Sequence, residues 1–142
     1  MVISKIKPER TGWRDQKLSQ WHRQLGFNAP AVDLDFLLLE YDKGLPTAII
    51  EYKNERAQPV SLGHPTYHAL STLAEKAEIP FFIVRYKSDL SDFHVTPVNS
   101  YAKRKLPKGE RNMTEAIFVK FLYWLRGLKC PREILENLQK II

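Results

Sequence analysis

Asp35, Glu51 and Lys53 are the residues whose types and spacing could do chemistry in this chain. They sit at the head of one apolar run and the tail of the next. The first run is Asp33-Leu34-Asp35-Phe36-Leu37-Leu38-Leu39-Glu40-Tyr41, and the second is Thr47-Ala48-Ile49-Ile50-Glu51-Tyr52-Lys53. The Asp42-Lys43-Gly44-Leu45-Pro46 cluster between them reads as a turn, so the two runs read as a hairpin. Strand side chains alternate faces, which puts Glu51 and Lys53 on one face, roughly 7 Å apart along the strand. Asp33, Asp35, Leu37 and Leu39 share one face of the first strand by the same rule. A turn centred near Lys43-Gly44 places Asp35 opposite the Glu51 to Lys53 region. Two or three carboxylates and one ammonium then converge on one patch of sheet.

Carboxylates held together repel one another and call for a compensating charge. A hard divalent cation such as Mg²⁺ supplies it through one or two carboxylates and several waters. Such an ion lowers the pKa of a bound water and stabilises charge on a phosphoryl oxygen. A lysine two residues on can orient the attacking water and offset the developing charge. These parts suit phosphodiester hydrolysis.

The elements around the hairpin follow from pattern. Apolar positions at Trp13, Leu18, Trp21 and Leu25 predict a first helix closed by Gly26. After a polar stretch from Asn54 to Gly63, His64-Pro65 opens a second helix to about Ala77, with Tyr67, Leu70, Leu73 and Ala74 as its buried stripe. Phe81–Tyr86 reads as a strand covered on both faces. Phe93–Val98 reads as another, ending or lying at an edge because of Pro97. Residues 101–111 read as a basic loop. A helix from Glu115 to Leu128 follows, and a last one starts near Pro131 with Ile134, Leu135, Leu138, Ile141 and Ile142 on one face. The stretch from the hairpin to Phe81 is long enough for a crossover between parallel strands. The expected fold is α/β, a central mixed sheet flanked by helices.

Asp35, fifteen intervening residues, then Glu51-Tyr52-Lys53 on a hairpin resembles the PD-(D/E)XK nuclease family. So does the element order: a helix before the hairpin, a helix and a strand after it. The likeness covers about residues 10–98 of a single domain spanning 1–142. It implies a restriction-endonuclease-like core, with the two C-terminal helices (114–142) as additions that cap the sheet or form a homodimer interface. It also implies that Asp35, Glu51 and the Tyr52 backbone carbonyl bind Mg²⁺ or Mn²⁺, and that Lys53 handles the attacking water. Asp33 is the alternative first ligand; the hairpin register favours Asp35. The Pro-Asp pair of the family name is absent, Pro30 lying three residues before Asp33. Where many members carry an acidic residue on the first helix, this chain offers Asp15, with Glu9 just upstream. His68 is the candidate for the polar residue that several members carry on the helix after the hairpin. The implied partner is DNA.

Plainer roles stand beside these. Glu40 and Asp42 read as a solvated strand end and turn. His64, His68 and Tyr67 suit a helix start and its packing, and His22 the surface. The stretch His64-Pro65-Thr66-Tyr67-His68 lacks the Glu of a zinc-protease motif. Phe81, Phe82, Phe118, Phe121 and Trp124 read as core. Lys103, Arg104, Lys105, Lys108 and Arg111 form a cationic run suited to phosphate contacts, or to a solvated loop. Arg10 and Arg14 meet DNA if the first helix lies beside the site. The rival to a nuclease is an inactive nucleic-acid-binding module on the same fold.

Composition sets the outer bounds. The 142 residues suffice for a real core. Hydrophobic content of 44% with 27% charged indicates folding rather than disorder. A net charge of +6 and a pI near 9.5 lean toward polyanions. One cysteine, Cys130, excludes an internal disulfide and a cysteine-based zinc site and fits a reducing cytoplasm; the family resemblance implies that of a bacterial or phage-infected cell. The N-terminus lacks the apolar core of a signal peptide, and no stretch approaches the ~20 apolar residues of a membrane span.

Overall fold

The computed structural model describes residues 16–32 and 34–138. Contacts divide the chain into two compact units, Met1–Asp33 and Leu34–Ile142. In the first, helix α1 (Gln16–Arg23) is followed by a 3-10 turn at Gly26–Asn28. The His22 ring is tied back to the Ala29 carbonyl at 2.8 Å, so His22 fastens the turn rather than lying idle on the surface. Trp13, expected at the start of this helix, lies outside the described residues.

The second unit is built on five strands, β1 (Phe36–Glu40), β2 (Leu45–Asn54), β3 (Phe81–Tyr86), β4 (Phe93–Pro97) and β5 (Arg111–Met113), which lie side by side in chain order. β1 and β2 are the antiparallel hairpin, with Phe36 opposite Ile50. Its turn closes with the Gly44 amide donating to the Tyr41 carbonyl at 3.2 Å, and Gly44 takes the left-handed conformation at φ +63° that a Cβ disfavours. A bulge between Leu38 and Leu39 leaves Thr47 unpaired, and its hydroxyl donates to the Leu38 carbonyl at 3.1 Å. β2 and β3 are parallel, joined as expected by a crossover through α2 (Pro65–Ala77). β3, β4 and β5 are antiparallel. Among the described residues no helix is long and apolar enough to cross a membrane.

The alternation of β2 feeds two cores. Ile49 joins Phe81 and Ile83 against Leu70, Ala74 and Ile79 on the α2 side. Ala48 and Ile50 join Phe82, Val84, Phe93 and Val95 on the other, under α3 (Ser100–Lys105) and α4 (Glu115–Leu125). There Phe93 stacks on Phe118 at 4.4 Å and Phe82 meets Phe121 edge-on at 5.3 Å. Leu73, placed in the α2 stripe by spacing, is half exposed; Leu70 and Ala74 are the fully buried members. α5 (Arg132–Glu136) starts after Pro131, as expected. Ile141 and Ile142 lie outside the described residues.

Three further expectations are corrected. The basic stretch 101–111 is not a loop: it opens as α3 and closes as β5, and its Ala102 and Leu106 are buried. The core therefore runs well past residue 98. Asn99 is the physical reason. It is 4% exposed, and its Oδ1 accepts from the Phe81 and Ala102 amides, both at 2.9 Å. Its Nδ2 donates to the Ile79 carbonyl at 2.8 Å. One side chain thus caps α3 and fastens it to the start of β3. Asn99→Ala strands three buried backbone groups and should cost about 2–4 kcal/mol in denaturant melts. Second, Glu40 is not solvated: it pairs with Arg126 at the end of α4 at 3.1 Å, with a side chain only 17% exposed. Third, Trp124 is not core but 50% exposed, because α4 turns Phe118, Phe121 and Leu125 to the sheet instead.

Candidate active site

Period-two alternation decides which side chains of β2 can meet. Ile50 and Tyr52 turn toward α4. The Tyr52 ring packs edge-on against Phe36 at 5.0 Å and Phe118 at 6.2 Å, and burial pushes its hydroxyl up to about 12. Glu51 and Lys53 therefore turn to the α2 side. The β1–β2 ladder ends at the Phe36–Ile50 pair. Continued by one residue, it sets Asp35 opposite Glu51.

The side chains do meet. Glu51 is 8% exposed, and its carboxyl is held above the usual range by burial first and by the Asp35 carboxylate beside it second. Lys53 opposes that shift, its Nζ lying 3.5 Å from Glu51 Oε1. Lys53 is itself held protonated, chiefly by the Tyr67 hydroxyl and then by Glu51, with its Nζ 5.8 Å from the centre of the Tyr67 ring. Glu51 thus stands between the Asp35 carboxyl and the Lys53 ammonium.

The backbone just beyond Lys53 is pinned. Arg85, the β3 neighbour of Lys53, donates from Nη1 to the Asn54 and Ala57 carbonyls at 3.1 and 3.0 Å. Its Nη2 donates to the Gln58 carbonyl at 3.2 Å. Glu55 accepts from the Ser88 amide at 2.6 Å. The turn after β2 is thereby fastened to β3 and the turn that follows it, which fixes the end of the strand that carries the cluster.

Asp35, Glu51 and Lys53 are brought together as the sequence suggests. Asp33, Glu9, Asp15, Arg10 and Arg14 lie outside the described residues. His68 is exposed and takes no part in the charge interactions of Glu51 or Lys53; His64 caps α2, its ring accepting from the Thr66 amide at 3.2 Å. The helix residue at the cluster is Tyr67, which the sequence reading assigned to packing. The signal was present: Tyr67, Leu70 and Ala74 share one helical stripe, and Leu70 and Ala74 face the sheet. Lys103, Arg104, Lys105 and Lys108 fall elsewhere, on and after α3, which packs on the opposite sheet face through Ala102 and Leu106.

Among the described residues no group of three or more His, Cys, Asp or Glu side chains is placed to share a metal ion. Two carboxylates, one of them buried, do fit a hard divalent cation that keeps most of its waters. No family model, curated protein or solved structure matches the chain.

Proposed function

We propose that this chain is a metal-dependent nuclease that hydrolyses DNA phosphodiester bonds, with a restriction-endonuclease-like core. The observation that carries the reading is the meeting of the Asp35 and Glu51 carboxyls beside an ammonium 3.5 Å from Glu51. Asp35, Glu51 and the Tyr52 carbonyl would hold Mg²⁺ or Mn²⁺. Bound there, the ion would lower the pKa of a water and offset charge on the phosphoryl oxygen. The chain's own contribution is positional. Glu51 Oε1 and the Tyr67 hydroxyl fix the Lys53 Nζ, whose remaining hydrogens point a charge-assisted bond at the attacking water or the phosphate oxygen. The single cysteine, Cys130, is buried and free, which suits the reducing cytoplasm where such an enzyme would work.

The test is incubation of the purified chain with supercoiled plasmid and with a branched duplex. Nicking or strand cleavage is expected in about 10 mM Mg²⁺ or Mn²⁺, the millimolar range in which weakly held, water-rich sites fill. None is expected in EDTA. DNA retained on the protein but uncut with either metal would sink the enzyme and leave an inactive binding module.

A further inference from the structure

A second site lies across the sheet, away from the Asp35–Glu51–Lys53 cluster. α3, α4 and α5 enclose an open groove of about 1210 Å³, larger than the roughly 300–1,000 Å³ usual for one small molecule. Four cations line it from four segments: Lys105 of α3, Lys120 of α4, Lys129 of the following turn and Arg132 of α5. Among the described residues no carboxylate lines it. Arg132 is joined to Glu136 at 3.2 Å, but both side chains are mostly exposed, and such a pair neutralises little. Trp124 also lines the groove with half its surface open, and Lys105 Nζ stands 5.0 Å from its ring centre.

Cations without acids select a polyanion. An exposed indole among them selects one that can offer a flat π-face. Duplex bases are hidden in the stack, and lipid phosphates carry no ring. A single strand offers both phosphates and unstacked bases, and binds by stacking on aromatics within a basic groove. We propose that this groove binds single-stranded nucleic acid, with a base stacked on Trp124 and the phosphates on Lys105, Lys120, Lys129 and Arg132. The site stands independently of the nuclease reading, since the groove lies on the α3–α4 side of the sheet and Glu51 on the α2 side.

The test is fluorescence anisotropy of labelled dT20 and rU20 in EDTA, with the whole chain. Wild type should bind at 50 mM salt, with log K falling against log salt at a slope near −3, about 0.7 per phosphate for four cations. Lys120→Glu with Lys129→Glu should weaken binding at least tenfold. Trp124→Ala should weaken it about tenfold, the scale of one lost stacked base. Thermal melts check that these surface variants fold, and Lys76→Glu, an exposed charge on α2 outside both sites, should bind as wild type does. Equal affinity for both oligonucleotides supports the proposal, and so does a preference for either. Absence of binding at 50 mM salt overturns it, as does undiminished binding in both groove variants or an equal loss in Lys76→Glu. Binding to anionic vesicles without binding to dT20, or self-association abolished by Trp124→Ala and indifferent to dT20, assigns the groove to another occupant and also overturns it.

Discussion

Glu51→Gln should reduce metal-dependent cleavage at least about 10³-fold, because it removes one of the two carboxylates on which the proposed ion depends. The fold should gain from the same change. Glu51 is buried beside Asp35, and its proton affinity is raised in the folded chain. Between its unfolded and folded pKa values the native state holds more protons than the unfolded one, so stability falls as pH rises through that window. The amide cannot titrate, so the variant should lose this pH dependence. At pH 8 without metal it should be more stable than wild type by about 0.5–2 kcal/mol, the usual gain when a functional strain is relieved. Mg²⁺ at ten times its Kd should stabilise wild type by about 1.4 kcal/mol and leave the variant unmoved. DNA affinity should hold or rise, since a negative charge facing phosphate is gone. Melts at several pH values, with and without Mg²⁺, read all of this beside a cleavage assay. Full activity in the variant would remove Glu51 from the mechanism. A lower stability at pH 8 would contradict its environment.

Lys53→Met should cost about 10²–10³-fold in cleavage, the scale of losing one preorganised charged donor. Methionine keeps much of the stem and so its packing beside Tyr67. The loss is electrostatic: the ammonium that draws the Glu51 proton affinity down is gone, so the carboxyl shifts further up. The residual activity should therefore rise with pH later than in wild type. Tyr67→Phe is the milder companion. It removes the hydroxyl that does most to hold Lys53 protonated while keeping the ring beside the ammonium, and should cost about tenfold, the low end of one hydrogen bond to a charged group. A Lys53→Met profile parallel to wild type on the pH axis would mean that the lysine does not act through this charge cluster.

The contrast between Tyr67 and His68 shows where a one-dimensional reading stops. The two are adjacent in sequence but about 100° apart around α2. Which one reaches Lys53 is fixed by the rotation of the helix on the sheet, and that rotation is set by Leu70 and Ala74 packing against Ile49, Phe81 and Ile83. A stripe that also admitted Leu73 left the rotation loose, so chemistry suggested the histidine and packing chose the tyrosine. Residues 101–111 were lost differently. Their charges, Pro107 and Gly109 outweighed the cap at Asn99 and the Ala102–Leu106 spacing, although both were there to be read.

What the amino-acid order settled by itself is local and periodic. It set the hairpin about Lys43-Gly44, the crossover to Phe81–Tyr86, and the placing of Asp35, Glu51 and Lys53 on one sheet face. Alternation along a strand is a property of the backbone and needs no partner. Tertiary structure decided what depends on distant surfaces meeting. It paired Glu40 with Arg126, buried Glu51 while leaving Trp124 open, chose Tyr67 as the neighbour of the lysine, and packed α3 through Ala102 and Leu106 on the sheet face opposite the carboxylates. Those outcomes follow from which faces of separately formed helices bury the most apolar surface, a sum over the whole unit that no single segment contains.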